Sequence, residues 1–320
     1  MILRKQGEAL ITNVTSLSSH DGPGLRTTVF FKGCSLKCRW CHNPETIRQE
    51  PELEWNRRLC IGCFTCNSRC NSRAISAQAN YLIDKKQCVQ CFTCVESCPS
   101  EALKVIGRSY SLEALEALIV KDEKLIKTMH GGVTFSGGEP ALQSEFVAML
   151  AQRLKSKGLH LALDTSGQAP WKNYEQLLPF IDLLLFDLKE MNPTKHAEFT
   201  GTDNRLIHEN ILRIAEYIRT HQLATRIWIR TPLIPQMTAF QENIAAVGLF
   251  INTYLSDCVD KWELCSFNNL CGDKYDRLGV RWELEKVSLL SESEMNELLV
   301  RAKQSASSIK QVTASGLNRK

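Results

Sequence analysis

The sequence predicts an α/β protein built on a parallel sheet, with a small cysteine-rich insertion near its start. Apolar runs and helical periodicity alternate through most of the chain, which is the pattern of strand–helix units. Most of the runs are apolar at consecutive positions, as strands covered on both faces are. The periodicity lapses where eleven of the fourteen cysteines fall, between Cys34 and Cys98.

Taken in order, TTVFFKG (27–33) reads as a buried strand closed by glycine. Cysteine-rich sequence with many Asn, Ser and Gly follows to about residue 102. SLEALEALIVKDEKLIKTM, from Ser111, has a serine cap and Leu/Ile at helical spacing, predicting one helix. GGVTFSGGEP is a short strand ending in a glycine turn, and 142–155 is helical. LHLALDTSG and LLLFDLK are strands, 207–219 is a helix, and TRIWIRTPLIP is a strand. A helix over 240–255, the strand KWELCSF and a helix over 292–303 complete the series. Six such units are too few for a closed eight-fold barrel, which leaves a partial barrel or an open doubly wound sheet. In both, ligands bind at the C-terminal ends of the strands. Polar and glycine residues gather at those ends: 33–34, 136–139, 164–167, 187–189 and Arg230.

With 320 residues and 36.2 kDa, about two domains of roughly 150 residues are expected. Hydrophobic content of 43% and charged content of 23% are those of a globular chain, excluding disorder and collagen-like repeats. MILRKQGEAL lacks the apolar core of an export signal. No apolar stretch approaches the ~18 residues of a membrane span, and LLPFIDLLLFDL is broken by Asp182 and Asp187. A soluble, cytoplasmic protein without membrane partner is the expectation. In such a reducing compartment fourteen cysteines argue for metal rather than disulfides.

CIGCFTCNSRCNSRA, from Cys60, superposes on CVQCFTCVESCPSEA, from Cys88, at an offset of 28 residues. Each copy has the spacing C-x2-C-x2-C-x3-C. In two-cluster ferredoxins that run places three ligands on one four-iron cluster and the fourth on the other. The implied sets are Cys60, Cys63, Cys66 with Cys98, and Cys88, Cys91, Cys94 with Cys70. Asn71 stands where proline usually follows the fourth cysteine, while Cys98–Pro99 keeps it. Zinc is the competing occupant, but a zinc site needs four ligands and this pattern offers eight. A structural staple and an electron route are both open uses.

Cys34, Cys38 and Cys41 form a separate triplet on the loop after the first strand. Three thiolates leave one iron of a four-iron cluster open, and an open metal position is where a substrate coordinates. Trp40 is placed to stack on a flat ring. A zinc site borrowing a distant ligand is the plainer alternative. Two clusters at about −2 and one at about −1 would move the formal charge of +4 to about −1. No dense Lys/Arg stripe is present, so no nucleic-acid partner is expected. Cys258, Cys265 and Cys271 fit no cluster spacing and read as buried small hydrophobes.

Cys34-Ser35-Leu36-Lys37-Cys38-Arg39-Trp40-Cys41 resembles the signature of radical S-adenosylmethionine (SAM) enzymes. HDGPGLRTTVFFKGC, WCHNPET, GGVTFSGGEP, DTSG, FDLKEMNP and IRTPLIP, in that order down the chain, resemble the activating enzymes of glycyl radical enzymes. The double insertion resembles their larger subclass. The resemblance implies a partial (β/α)6 TIM-like barrel over 1–50 and 106–320, with a ferredoxin-like domain over 51–105. It implies three [4Fe-4S] clusters, SAM and a monovalent cation as cofactors. Cys34, Cys38 and Cys41 would hold the SAM-cleaving cluster, with Trp40 near the adenine. Gly137, Gly138 and Glu139 would meet the methionine amino group. Asp164, Thr165 and Asp187 would line its carboxylate and the cation, with Lys189 and Arg230 pairing to SAM. A histidine near the last strand in some members is replaced here by Asn268. Asp21, Gly22, Pro23 and Gly24 would border the opening for a partner's C-terminal glycine loop; by themselves they are a tight turn.

The implied reaction is reductive cleavage of SAM to a 5′-deoxyadenosyl radical that takes a hydrogen atom from a backbone glycine of the partner. Reduced ferredoxin or flavodoxin would supply the electron, in an anaerobic host. A radical SAM enzyme acting on a small molecule or peptide, and a plain electron carrier, are the alternatives.

Overall fold

A computed structural model describes residues 7–76 and 81–319. The first six residues, part of the stretch searched for an export signal, lie outside it. The chain opens on a hairpin in which β1 (Ala9–Ser18) runs antiparallel to β2 (Arg26–Phe31). The cysteine-rich segment is closed at its base by β3 (Glu52–Trp55) paired antiparallel with β4 (Leu103–Ile106). Between them lie two single-turn helices, α1 (Thr65–Ser68) and α2 (Thr93–Glu96). β5 (Arg108–Tyr110) then returns to the free edge of β1.

From there helices and strands alternate. α3 (Leu112–Val120) and α4 (Glu123–Thr128) lead into β6 (Gly132–Gly137), and α5 (Ser144–Ser156) into β7 (His160–Thr165). α6 (Trp171–Leu177) precedes β8 (Leu183–Asp187), and α7 (Pro193–Thr200) with α8 (Arg205–Thr220) precedes β9 (Arg226–Leu233). α9 (Gln241–Tyr254), β10 (Val259–Ser266), α10 (Gly272–Arg277), α11 (Glu292–Ser305) and β11 (Gln311–Ser315) follow.

The sheet order is β11-β10-β9-β8-β7-β6-β2-β1-β5. From β2 outward every strand is parallel to the last and they lie in chain order. A doubly wound sheet reverses its order at a switch point; this one does not on its parallel side. Right-handed crossovers that never reverse put the helices on one face.

Side-chain alternation shows the two faces. Val133, Phe135, Leu161, Leu163, Leu184, Phe186, Ile227 and Ile229 join the helices in one continuous core. Their neighbours in sequence point the other way. There Ala162, Leu183, Leu185 and Trp228 make a small apolar cluster. Beyond it, towards the C-terminal strand ends, that face carries Ser136, Asp164, Asp187, Arg230 and Cys265.

The helical regions differ from expectation in two respects. The helix from Ser111 is capped as expected, Ser111 Oγ accepting from Ala114 N at 3.2 Å. It breaks at Lys121–Asp122, where the run Lys-Asp-Glu-Lys has nothing to bury. α1, α2, α6, α7 and α10 are additional to the expected helices, although Asn192–Pro193 is a cap followed by a first-turn proline, with Gly201 (φ +89°) at the end. β1, β3, β4, β5 and β11 are additional strands. The outer half of β1 and most of β11 are part-exposed and carry little apolar signal.

Candidate active site

The loop holding Cys34, Cys38 and Cys41 is pinned from both sides. Cys34 N donates to Ile47 O at 3.0 Å, and Lys37 N and Arg39 N donate to Thr200 O and Phe199 O at the end of α7 (2.7 and 3.0 Å). Tyr275 Oη donates to Cys41 O at 2.8 Å and Trp282 Nε1 to Arg39 O at 2.8 Å. The three cysteines line a cavity of about 320 Å³ at the C-terminal strand ends, inside the range of small-molecule sites. Trp40, Gly137, Gly138, Asp164, Thr165, Asp187, Lys189 and Arg230 line the same cavity. Trp40 is held edge-on by Phe199, ring centroids 6.4 Å apart.

Burial, with help from Glu139 and Cys38, pushes the Cys34 thiol up to about 12; Cys38 and Cys41 are raised too, again mainly by burial. Three such thiols ionise only when a cationic group binds them. Among the described residues no three His, Cys, Asp or Glu side chains converge as the ligands of a single ion do. The triplet faces a roomy cavity instead, which fits the donor set of a multi-iron cluster. Cys265, expected to be buried, is only partly so, on the cavity wall. Its charged neighbours are Arg230, Glu263 and Asp187, whereas Cys34, Cys38 and Cys41 act on one another.

Opposite the triplet lies a charge network. Asp187 and Arg230 are register partners on β8 and β9. Arg230 bonds Asp164 Oδ1 at 2.5 Å and lies 3.5 Å from Asp187 Oδ1; Lys189 donates to Asp187 Oδ2. Ser136 Oγ donates to Asp164 Oδ2 at 2.7 Å. Burial opposes ionisation of Asp187, but Lys189 and Arg230 outweigh it and hold the carboxyl below its usual range. Asp164 is raised by burial in spite of Arg230. Two acids and two bases balance before any ligand carboxylate is added.

Glu139 lies behind the cavity wall. It is 1% exposed and does not line the cavity. Its carboxylate accepts from Thr165 Oγ1 (2.7 Å), Ser166 Oγ (2.7 Å), Ser166 N (2.9 Å) and Ala141 N (3.3 Å). It is a buttress tying the turn after β6 to the turn after β7. The adjacent glycines also have a packing reason. Gly137 has φ +106°, and a Cβ on Gly138 would sit 2.2 Å from Gly33 O, on the backbone that leads into Cys34. Replacing Gly138 by alanine is therefore expected to displace the cysteine loop and halve the iron bound there or worse, read as iron per chain against the unsubstituted protein.

The expected partner-facing turn does not itself line the cavity, although Asp21 lies near enough to Asp164 and Arg230 to act on both. Gly24 packs against His130 O, beside the start of β6, so the turn sits at the N-terminal strand ends. None of Asp21, Gly22, Pro23 and Gly24 lines the cavity. Asp21 Oδ2 accepts from Ser18 Oγ and Thr28 Oγ1, both at 2.7 Å. Asn268 presents its carbonyl to His42 Nε2 at 3.0 Å. Cys258 and Cys271 are buried, as expected.

In the insertion the two repeats fold alike. Phe64 and Phe92 both take left-handed φ (53° and 62°) to open α1 and α2. Thr65 and Thr93 hydroxyls lie 3.5 Å from Cys63 and Cys91 Sγ and lower those thiols. One small cavity is lined by Cys60, Cys63, Cys66 and Cys98 together. Cys94 is pushed up to about 12 by burial, then by Cys88, Cys91, Cys66 and Cys70. Cys60, Cys63, Cys66 and Cys98 thus share one cavity, while both Cys70 and Cys66 of the first run lie near Cys94. The segment's own core is Leu53, Cys66, Ile75, Leu82, Cys94 and Leu103, two of them cysteines. So thin a core needs a staple. Iron chelation is expected to make the segment between β3 and β4 the first site of proteolysis while the sheet stays protected, as mass spectrometry of limited digests would show.

Residues 20–208 match the family described as a 4Fe-4S single cluster domain. The trans-4-hydroxy-L-proline dehydratase activating enzyme of Clostridioides difficile is 38% identical over 90% of this chain and 94% of its own. The (2S)-3-sulfopropanediol dehydratase activating enzyme of Klebsiella oxytoca is 35% identical, covering 88% of each. A radical SAM methyltransferase from Sphaerobacter thermophilus, 12% identical, shares the fold with a TM-score of 0.51 over 95% of this chain and 77% of that one. An iron–sulfur oxidoreductase is what this fold and site define. More narrowly, the chain belongs to the radical SAM activating enzymes of glycyl radical enzymes. Membership supports SAM and at least one four-iron cluster. Among the described residues no helix is long and apolar enough to cross a membrane.

Proposed function

We propose that this chain cleaves SAM reductively and abstracts a hydrogen atom from a backbone glycine of a glycyl radical enzyme. We assign it to the subclass with a ferredoxin-like insertion, three four-iron clusters in all, on an incomplete (β/α)6 barrel. The observation that carries this is the cavity in which one loop's three cysteines face a balanced Asp–Lys–Arg network.

Cys34, Cys38 and Cys41 would hold a four-iron cluster, and the chemistry it would supply there is one-electron reduction of the SAM sulfonium. The chain's own residues bind and orient. Lys189 and Arg230 offer cationic donors to a carboxylate, at the end of the cavity where Asp164 and Asp187 keep them charged and fixed. Trp40 closes one wall with an aromatic surface. Glu139 holds both glycine turns still through its four accepted bonds. No general base is needed, because the transfers are of an electron and a hydrogen atom. Reduced ferredoxin or flavodoxin would supply the electron.

Anaerobically loaded protein given SAM and dithionite is expected to release 5′-deoxyadenosine, measured by chromatography. Mixed with its partner it should also raise a glycine-centred doublet in electron paramagnetic resonance. If no candidate partner gains the doublet while a small molecule is consumed, the small-molecule reading replaces this one. Without any 5′-deoxyadenosine from cluster-replete protein, both fall.

A further inference from the structure

The two repeats of the insertion are alike in fold but not in position. The second touches the barrel. Cys88 lines a small cavity shared with Arg48, Arg277 and Gly279, and a Cβ on Gly279 would meet the Tyr81 ring at 3.5 Å. The cavity of the first set, Cys60, Cys63, Cys66 and Cys98, is lined by residues of the insertion alone. The first set is therefore outer and the second inner.

The surface over the outer set is unusual for a segment this small. Leu59, Ile61 and Phe64 are 44%, 68% and 42% exposed within six residues of chain. Arg57 and Arg58, both exposed, stand directly before them, and neither has an acidic partner among the described residues. Arg57 instead lies over the Trp55 ring, 6.0 Å from its centroid. Glu101, between the wall residues Ser100 and Ala102 of that set, is spoken for by Lys104 at 3.8 Å. An apolar spot flanked by unpaired cations is the surface of a small, short-lived interface with an anionic partner.

We propose that this face, Arg57, Arg58, Leu59, Ile61 and Phe64, is the docking surface for an acidic one-electron carrier protein. The inference rests on the cluster-bearing reading above, since a carrier has reason to dock here only if the cysteines beneath hold a redox group. Both repeats carry exposed cations, but three exposed apolar side chains lie over the first repeat against one, Val89, over the second, so the electron enters by the first repeat and leaves by the second. Brief contact suits such a carrier, which must release after giving up one electron.

The internal repeat supplies a matched control for the test. Arg58 corresponds to Lys86, and Ile61 to Val89, which is 71% exposed. An acidic flavodoxin in its oxidised form is titrated into anaerobically loaded protein, and binding is followed by shifts of the flavodoxin amide signals. Arg58→Glu and Ile61→Asp should each weaken binding at least about tenfold, and raising salt from about 50 to about 300 mM should weaken the unsubstituted complex likewise. Lys86→Glu and Val89→Asp should stay within about threefold. Iron per chain checks that each variant is loaded; should Ile61→Asp lose iron, Arg58→Glu decides alone. Equal loss from the second-repeat pair, or no loss from the first, overturns the docking surface. Dithionite-driven 5′-deoxyadenosine from the unsubstituted protein is scored separately: its absence overturns the cluster reading, while its presence with unaltered binding overturns the docking surface only.

Discussion

Alanine at Cys34, Cys38 or Cys41 is expected to lower dithionite-driven release of 5′-deoxyadenosine at least about a thousandfold, while about eight of about twelve irons stay bound. The reason is geometric. The loop carrying the three thiols is clamped by backbone bonds from Thr46–Ile47 on one side and Phe199–Thr200 on the other. It cannot swing a substitute into place. Cys265, the other thiol on the cavity wall, sits by Arg230 and Glu263, away from the triplet. Because the three act as a unit, a double substitution should cost no more than a single one. Cys63→Ala makes the contrast. It removes an exposed cysteine that the proposal makes a ligand of the outer set, so the carrier-driven rate should fall while the dithionite-driven rate stays within about threefold. Equal loss in both assays would mean that the outer set is a structural staple and not a route.

These outcomes follow from features of unequal legibility. The parallel strands β6 to β10 are readable because both faces are covered and the sequence runs apolar. Cysteine spacing is equally direct, since a turning backbone brings thiols two residues apart to one side. Less legible are elements whose signal is carried by something other than pattern. β5 is three residues long, and β11 presents a mostly exposed surface. α6 is short, and α7 is hidden inside a motif that also carries a chemical role.

At the site, residue types are legible in the sequence and their partners are not. GGEP marks a glycine turn beside a carboxylate, but only the packing shows that Glu139 spends both its oxygens on neighbouring turns. Gly138 reads as making room for a ligand; the fold shows Gly33 O already in that space. The resemblance puts Asp21 at an opening; the fold adds that its carboxylate is taken by Ser18 and Thr28, within electrostatic reach of Asp164 and Arg230. Cys265 alternates inward on β10, a direction that period two along KWELCSF gives once the buried face of Trp262 is known.

Arg230→Met is expected to destabilise the protein by about 3 kcal/mol at pH 8, the low end for breaking a buried pair because each partner keeps some water. Among the described residues Arg230 alone bridges Asp164 and Asp187, and its loss leaves two carboxylates against Lys189. The pH dependence distinguishes this from simple loss of packing. In the intact network Asp187 titrates below its ordinary range, so its contribution is present above that range and lost as pH falls through the folded value. Asp164 is the reverse: burial already raises it, so its charged form costs stability as pH rises through its folded value. Without Arg230 that rise grows, with only Ser136 left as donor. The melting-temperature gap between variant and parent should therefore narrow from pH 8 to pH 5.5 as Asp164 takes up a proton. Arg230→Lys keeps the charge but reaches one carboxylate instead of two, and should recover about half of the loss. SAM affinity, measured by equilibrium binding, should fall at least about tenfold in the methionine variant, since a charge-assisted bond is worth about 1.5–3 kcal/mol. A gap that is flat in pH would mean that the uncompensated charge is not on Asp164, and a variant that binds SAM normally would remove Arg230 from the site.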